Sequence, residues 1–252
     1  MTMSAAATFP ATLLGEREPD APVRKIGLVG FTASKADAPF GDPEWELWGL
    51  NNLHRQIEAR GFRRWYDLHP DKMILGDSEH EGWLRAGAEG LPVYVWNPKP
   101  EWPTSVAFPL KELTDQFGRY FTNSISYMIA HAIAEGATHL GLWGVDMAQG
   151  TEYAAQRPSC EYFLGVATGL GITVEIADTS DLLKSAGLYG EGDDSGLRAK
   201  LEARIAELQE LKRQADQQKA HGEALWHQAQ GGIENLSYIL GVWTQPQVKR
   251  TT

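Results

Sequence analysis

The sequence predicts an α/β protein built around a mostly parallel sheet with helices on both faces. From Val23 to about Asp178, short apolar runs alternate with stretches of helical periodicity, and strands that alternate with helices form parallel sheets. The run HLGLWGVD is apolar along its whole length, as expected of a strand covered on both faces. Further along, the pattern changes to that of a long amphipathic helix. The chain therefore combines one α/β domain with a helical extension.

The strands are predicted from short runs of apolar and β-branched residues. One of them is introduced by a proline, which a strand tolerates where it begins. In chain order the predicted strands are VRKIGLVGF, ELWGLNN, RWYDLH, LPVYVW (Leu91 to Trp96), HLGLWGVD and ITVEIAD.

Helices are predicted between these strands. PLKELTDQFG has proline in its first turn and glycine after its last, which is typical of a short helix. In FTNSISYMIAHAIAEGATHLGLWGVDM (Phe121 to Met147), apolar residues recur at helical spacing until Gly136 ends the helix. A further helix is predicted over Ser159 to Gly169.

The predicted organisation has four parts. Residues 1–22 have the composition of a loose tail, and residues 23–183 form the α/β domain. Residues 184–196 are rich in glycine and acid and predict a linker. Residues 197–252 are predicted to form amphipathic helices.

The helical extension has a narrow apolar seam, and such a helix needs a partner. We expect it to mediate self-association; the alternative is a hairpin that packs on its own domain. Gly222 or the Gly231–Gly232 pair is the expected break between two helical segments.

Composition is that of a soluble globular protein, with 42% hydrophobic and 22% charged residues. No apolar run approaches the ~18 residues that a membrane span needs. Cys160 is the single cysteine, so an internal disulfide is excluded and a cytoplasmic location is expected. The nine tryptophans are candidates either for the core or for stacking on a ligand in an open cleft.

The net charge of −10 disfavours binding of bulk nucleic acid through phosphate contacts. One local cluster of arginines is an exception and could contact a phosphate, although a solvated helix end is the alternative interpretation. Its members are Arg55, Arg60, Arg63 and Arg64.

In an open parallel sheet, ligands bind at the carboxyl ends of the strands. The first strand is followed by Gly30, Thr32 and Ser34, a glycine-bearing loop that matches no phosphate-binding fingerprint, so a simple turn is the alternative. The second strand ends in Asn51 and Asn52, where a nicotinamide-dependent enzyme would usually carry an acidic residue. A dehydrogenase is therefore disfavoured.

Thr122, Asn123 and Ser124 stand directly before or at the start of a predicted helix. The first amides of a helix have no intrahelical partner and its dipole is positive there, so this corner could hold a phosphate. The alternative is that these residues only cap the helix.

Three residues are candidates for acid–base chemistry: Asp146, Glu152 and His69. A strand-end aspartate can also initiate a turn, and His69 can be a structural histidine. Tyr153, Arg157 and Tyr162 would suit a phosphate leaving group where no metal is present. The histidines and the cysteine lack the spacing of metal ligands, so no metal site is predicted.

The block TNSISYM, a small-residue helix and the apolar strand ending GVDM resemble the sialyltransferase-like glycosyltransferases. The paired asparagines that end ELWGLNN resemble the second strand of that group. The run EYAAQRPSCEYF followed by ITVEI is similar to phage-encoded proteins related to glycosyltransferases that decorate modified viral DNA. This resemblance spans roughly residues 23–180.

The resemblance implies one Rossmann-like domain that binds a nucleotide sugar and uses no other cofactor. Asn51, Asn52, Asn123 and Ser124 would lie near the donor nucleotide. Two tyrosines, Tyr153 and Tyr162, would lie by the departing phosphate in place of a metal ion.

The sequence departs from the family pattern in two respects. The family carries a catalytic histidine late in the domain, and no histidine occurs here between His139 and His221. The first strand also lacks the family's G-x-G-x-S style of loop. The identity of the general base therefore stays open.

The leading hypothesis is a metal-independent glycosyltransferase that moves a sugar from a nucleotide-sugar donor to an acceptor hydroxyl. The acceptor would be a glycan or, in the cytoplasm of a host infected by a phage, a hydroxymethylated base of phage DNA contacted through the arginine cluster. The alternative is a non-catalytic nucleotide-binding or assembly scaffold, because a fold alone does not fix a function.

Overall fold

The structure is a computed structural model that describes residues 22–148, 152–185 and 195–243. It divides the chain into two units, one up to Asp193 and one from Asp194 onward. The predicted tail lies outside the described residues apart from residue 22, and so do residues 186–194 of the predicted linker.

The first unit contains a seven-stranded sheet in the order β5-β4-β3-β2-β1-β6-β7. Each described pairing between neighbouring strands is parallel. The prediction of an α/β fold with a mostly parallel sheet is therefore confirmed. The strands are β1 (Lys25–Val29), β2 (Trp45–Leu50), β3 (Phe62–Asp67), β4 (Val93–Val95), β5 (Ser105–Ala107), β6 (His139–Trp143) and β7 (Thr173–Ile176).

Helices follow most of the strands, and local residues explain where they begin. Asp77 caps the second helix through a bond from the backbone amide of His80, and Gly118 ends the third helix with a φ of +77°. The helices of this unit are α1 (Asp71–Leu75), α2 (Ser78–Arg85), α3 (Leu110–Phe117), α4 (Ser124–Ala134) and α5 (Arg157–Gly169).

The two faces of the sheet carry separate hydrophobic cores. On one face, residues of α3, α4 and α5 such as Leu113, Met128 and Phe163 pack with Trp48 of β2. On the other face, residues of α1 and α2 pack against alternate residues of the same strands. Helices therefore cover both faces, as predicted.

Most tryptophans of the first unit fill these cores. The ring of Trp65 lies over Gly49, where an added β-carbon would be 2.3 Å from it, and the ring of Trp143 lies equally close to Gly141 at 2.2 Å. Glycines inside the strands thus make room for large rings. Of the two roles considered for the tryptophans, core packing and stacking on a ligand, these residues have the first.

The ends of β1 and β6 are joined by an unusually close backbone contact. The amide of Gly30 donates to the carbonyl of Trp143 at 2.8 Å, and the amide of Thr32 donates to the carbonyl of Gly144 at 3.0 Å. A β-carbon on Gly30 would lie 2.3 Å from the carbonyl oxygen of Gly144. Gly144 itself has a φ of +70°, which favours glycine.

The sequence-based interpretation missed three elements of this unit: β5, α1 and α2. Each is short, and β5 has only three residues. Short elements contain too few residues to show a period. The signal for α2 was nevertheless available, since Asp77 stands before Ser78 as a typical N-cap.

The second unit is described over one helix, α6 (Ser195–Trp243), of 49 residues. The prediction of two segments broken at Gly222 or at Gly231–Gly232 is wrong, because α6 runs through all three glycines. An isolated glycine costs a helix only about 1 kcal/mol relative to alanine. None of the described helices combines the length and apolar character that crossing a membrane requires.

Replacing Gly144 with alanine is expected to destabilise the first unit by about 2–4 kcal/mol, because the strained φ and the backbone clash act together. Its β-carbon would lie 2.6 Å from the carbonyl oxygen of Gly30. Urea unfolding of the purified protein measures this loss. The matched control is Gly165→Ala in the exposed part of α5, where nothing lies within 4 Å; it should be neutral or stabilising. Equal stabilities of the two variants would contradict the proposed role of the contact.

Candidate functional site

The carboxyl ends of β1 and β6 mark the point where the strand order of the sheet reverses. From β1 the chain moves outward through β2, β3, β4 and β5, and it returns to the other side of β1 as β6 and β7. Ligands of open α/β sheets bind in the crevice at such a switch point. A cavity of about 440 Å³ lies there, walled by the ends of β1, β2, β3 and β6 and by the start of α4.

The loop after β1 contributes to the cavity and also holds it together. Gly30 and Thr32 line the cavity. Ser34 is buried; its hydroxyl accepts from the amide of Gly144 at 2.9 Å and donates to Asp146 Oδ1 at 2.8 Å. Ser34 thus positions the carboxylate of Asp146, which lines the cavity, and is not itself among the residues that line it.

Asn123 is the N-cap of α4, and it is fully engaged. Its Oδ1 accepts from the amide of Ser126 at 2.9 Å, and its Nδ2 donates to the carbonyl of Gln156 at 2.8 Å. The hydroxyls of Thr122 and Ser159 lie 2.6 Å apart. These side chains fasten the start of α4 to the start of α5, so the capping alternative describes Thr122 and Asn123.

Ser124 and Ile125 carry unpaired backbone amides at the start of α4. They are the first two residues of α4 and both line the cavity. First-turn amides have no intrahelical partner, and Asn123 caps only the amide of Ser126. Within the described part of the chain, no group accepts a hydrogen bond from these two amides. With the positive end of the helix dipole behind them, they suit an anionic group.

Asn51 follows β2 and lines the cavity, and it also carries a buried, unpaired side-chain atom. Its backbone has a φ of +50°, which asparagine tolerates better than most residues. Trp65 Nε1 donates to its carbonyl oxygen at 2.7 Å and holds the turn. Its side-chain Oδ1 is buried and has no hydrogen-bond partner among the described residues. An unmet buried acceptor costs about 1–3 kcal/mol.

His69 lines the cavity at the end of β3 and belongs to a chain of four side chains. Its Nδ1 lies 2.9 Å from Asp67 Oδ1. The second oxygen of Asp67 lies 2.7 Å from His80 Nε2, and His80 Nδ1 lies 2.9 Å from His54 Nε2. Asp67 and His80 are buried, so the chain leads from the cavity into the protein.

These contacts shift the pKa values of the hydrogen-bonded side chains in different directions. The hydrogen bond with Asp67 raises the pKa of His69 above its ordinary value of 6.5, against the effect of burial. Burial alone would raise the pKa of Asp67, but its bonds to His69 and His80 lower it to about 2. Burial and the neighbouring His80 lower the pKa of His54 to about 4. Near neutral pH, Asp67 is therefore ionised and His54 is uncharged.

A second cavity of about 280 Å³ shares Phe31, Asn51 and His69 with the first. Asn52 lines this second cavity and not the larger one, whereas Asn51 and His69 line both.

Of the residues after β6, Tyr153 reaches the cavity. Glu152 begins a 3-10 turn, Glu152–Ala155, and its side chain lies outside the described part of the structure. Residues 149–151 also lie outside it.

Two residues predicted to contact the donor phosphate lie elsewhere. Arg157 donates to Glu161 Oε1 at 2.8 Å and to the carbonyl of Lys184 at 2.7 Å. The ring of Tyr162 packs edge-on against Phe163, and burial raises its pKa. Neither residue lines the described cavity, so Arg157 and Tyr162 as donor contacts stay a prediction. In the structure, Arg157 ties α5 to the segment that follows β7.

The predicted basic cluster is not formed as one surface. Arg55 forms ion pairs with two acidic residues at the start of α2. Arg64 is largely buried and forms an ion pair with Glu135 at 2.7 Å. Only Arg60 and Arg63 of the four are exposed and without an ion pair in the described part of the chain. The four arginines therefore do not share one surface, because alternate residues of β3 point to opposite faces. A phosphate contact through them stays a prediction.

Sequence reasoning missed Asp67, which orients His69. The spacing Asp-x-His at a strand end was a usable signal, since a carboxylate two residues away can bond both the imidazole and its amide, as happens here. His80 and His54 could not be linked to it from the sequence. No group of three or more histidine, cysteine or acidic side chains able to hold a metal ion occurs among the described residues.

No protein-family model matches the sequence, and no curated protein matches it. Two solved structures of the sialyltransferase CstII from Campylobacter jejuni are similar to the chain, one in complex with the substrate analogue CMP-3FNeuAc and one with cytidine-5'-monophosphate. Both matches have a TM-score of 0.40 and 12% sequence identity. Each covers 61% of this chain, and they cover 80% and 79% of the respective sialyltransferase chains.

Proposed function

We propose that the protein is a metal-independent glycosyltransferase that transfers a sugar from a nucleotide-sugar donor to an acceptor hydroxyl. The observation that carries the proposal is that residues with unsatisfied hydrogen-bonding groups line one cavity at the switch point. These groups are the free amides of Ser124 and Ile125 and the buried Oδ1 of Asn51. Elsewhere on the cavity, polar side chains such as Asn123 are already paired.

The cavity has the size and chemistry for a nucleotide. Its volume of about 440 Å³ lies within the ~300–1,000 Å³ of small-molecule sites. In our proposal, the donor phosphate accepts hydrogen bonds from the amides of Ser124 and Ile125. The side chain of Asn51 turns to present Oδ1 to a donor of the nucleoside, and Asp146 accepts from a ribose hydroxyl. Each group then meets a partner of the opposite hydrogen-bonding sense.

The departing phosphate needs stabilisation as the bond to the sugar breaks, because negative charge builds up on its oxygen. The amides at the start of α4 provide a fixed positive potential there. In this proposal the hydroxyl of Tyr153, a residue that lines the same cavity, donates a hydrogen bond to the leaving oxygen. Arg157 and Tyr162 are left out, because their side chains have the other contacts described above.

His69 is the general base of the proposed reaction. Its Nδ1 faces the ionised carboxylate of Asp67, which leaves Nε2 to accept a proton. The acceptor hydroxyl gives its proton to Nε2 while its oxygen bonds to the anomeric carbon. The bond from that carbon to the phosphate oxygen breaks, and the phosphate leaves with the electron pair. Asp146 is less suited to this role, since Ser34 already donates to its carboxylate.

We propose a glycan or another uncharged polyol as the acceptor, in preference to modified DNA. The second cavity beside His69 is lined by the acidic residues Asp67 and Asp77 and by no lysine or arginine of the described residues, so it offers little positive charge to a phosphate backbone. The burial of Arg64 removes one of the four arginines expected to contact DNA.

We further propose that α6 associates with a second copy of itself. Apolar residues recur along it at alternating steps of three and four, which is the pattern of a coiled-coil seam. Ile233 and Leu236 are 59% and 69% exposed, so the seam offers apolar surface to a partner. The residues of this stretch are Trp226, Ala229, Ile233, Leu236 and Leu240.

Placing a charge on this seam should dissociate the assembly. Leu236→Glu is expected to lower the mass measured by sedimentation equilibrium towards that of one chain, because a buried charge is costly. Deletion of residues from Gly196 onward should do the same. The control is Glu223→Gln, an exposed polar position of α6. A monomeric full-length protein, or an oligomer that survives the deletion, would refute the assembly proposal.

Donor binding should depend on Asn51 and not on its neighbour. In calorimetry against a panel of nucleotides and nucleotide sugars, Asn51→Gly is expected to weaken binding by about tenfold, the value of one hydrogen bond. Glycine tolerates the positive φ of this position, so the turn is retained. The matched control Asn52→Gly should bind as the parent does. If no member of the panel binds, the enzymatic proposal fails and the scaffold alternative takes its place.

The rate of donor hydrolysis should depend on His69 with a defined pH profile. His69→Gln is expected to lower kcat by ~10²–10⁴ while leaving the donor Kd unchanged, because only the proton transfer is removed. The base must be uncharged, and its pKa is raised above 6.5. Activity should therefore rise with pH through a midpoint above 6.5. The control His227→Gln changes an exposed histidine of α6; a profile that does not respond to His69→Gln would exclude His69 as the base.

A further inference from the structure

We propose that His80 and His54 are positioning residues that fix the hydrogen-bonding state of Asp67 and, through it, hold His69 with its Nε2 free to accept a proton. Neither residue reaches the proposed donor cavity. The catalytic consequence rests on the proposed function, whereas the arrangement of protons is a property of the protein alone.

The protons of the chain can be assigned from the contacts. Ionised Asp67 can only accept hydrogen bonds, so His80 must donate from Nε2 over 2.7 Å and His69 from Nδ1 over 2.9 Å. A neutral His80 then has a bare Nδ1, which can only accept. His54 must therefore donate to it from Nε2 over 2.9 Å. His54 therefore donates to His80, and His80 donates to one oxygen of Asp67. His69 donates to the other oxygen.

His54 is fixed from its other face by an aromatic ring. The rings of His54 and Trp83 are stacked, with centroids 4.3 Å apart and an angle of 3° between their planes. The ring of Trp65 lies on a further side at 6.4 Å. This packing favours the uncharged imidazole, since it removes the ring from water. His54 thus remains a neutral donor to His80 near neutral pH.

Other charged groups also face His80. Its backbone amide donates to Asp77 Oδ1 at 3.2 Å, which anchors the start of α2. Arg55 forms ion pairs with Asp77 and with Glu79. These groups compensate one another at the surface, while Asp67 is the charged group that contacts the His80 ring.

The second donor on Asp67 has two effects on His69. With one imidazole on each oxygen, the carboxylate is held in one orientation, and so is the ring of His69. The bond from His80 also draws on the negative charge of the carboxylate, which limits how strongly Asp67 favours the protonated form of His69. His80 therefore keeps more of His69 in the form that can act as a base near neutral pH.

Nitrogen NMR of the unsubstituted full-length protein tests the proton assignment. Long-range proton–nitrogen correlation spectra distinguish a protonated from a bare ring nitrogen. Above the titration of His69, we expect protons on His69 Nδ1, His80 Nε2 and His54 Nε2. A proton on Nδ1 of neutral His80, or on Nε2 of neutral His69, would overturn the inference.

Two variants of His80 test its effect on His69. His80→Phe keeps a ring but removes the donor to Asp67, so the titration midpoint of His69 should rise by about half a pH unit or more. His80→Gln retains an amide donor at the position of Nε2 and should restore the midpoint to within about 0.2 units of the parent. An unchanged midpoint in folded His80→Phe would refute the positioning role. Where His80→Phe fails to fold, the Gln variant and the parent spectra still decide.

His54→Phe tests the outer member of the chain. Without the donor from His54, the Nδ1 of His80 loses its hydrogen-bond partner, so its nitrogen resonance should shift; an unshifted resonance would contradict the assigned donation. His227→Phe, on the exposed side of α6, is the control and should leave all three histidines unchanged. If no nucleotide sugar binds, the proposed function fails, yet these midpoints still decide the present inference. If a donor binds and is hydrolysed, the acid limb of the pH–rate profile should move upward in His80→Phe by the same amount as the His69 midpoint.

Discussion

The backbones of Gly30 and Gly144 approach so closely that neither position has room for a β-carbon. This contact lies where the strand order of the sheet reverses, and the rest of the site depends on it. It brings the loop after β1 against the end of β6, so that Ser34 can accept from the amide of Gly144 and donate to Asp146. The carboxylate is thereby directed to the crevice by two elements that are far apart in sequence.

At the start of α4, side chains and backbone amides have different roles. A helix leaves several amides of its first turn unpaired, and one cap residue satisfies only one or two of them. Asn123 caps the amide of Ser126 and bonds α5 as well. The amides of Ser124 and Ile125, two residues that line the cavity, are left unpaired. Side chains thus fix the position of the helix, and the remaining backbone amides are the anion site of the proposed function.

The sequence predicted those parts of the site that follow from strand ends. Carboxyl ends of parallel strands meet at one edge, which is why Thr32, Asn51, His69 and Asp146 come together as expected. It could not predict which polar groups are already paired, because that depends on distant partners. The carbonyl of Lys184, which engages Arg157, is 27 residues away. For the same reason the fold was predicted from its periodic elements, whereas the three-residue β5 and the short α1 were missed.

Asp67 and His69 also set stability and activity against each other as pH changes. Because the pKa of Asp67 is lowered to about 2, its contribution to stability is present above its unfolded value of ~3.9 and is lost as the pH falls below it. The pKa of His69 is raised, so its contribution is full below ~6.5 and is lost as the pH rises through its folded value. The charged pair therefore stabilises the fold most between those limits, where His69 holds a proton. A base must have lost that proton, so the proposed chemistry needs a pH above this window. The second histidine on Asp67 reduces the stability lost when His69 gives up its proton. His80 keeps the carboxylate paired and buried after His69 has lost its charge.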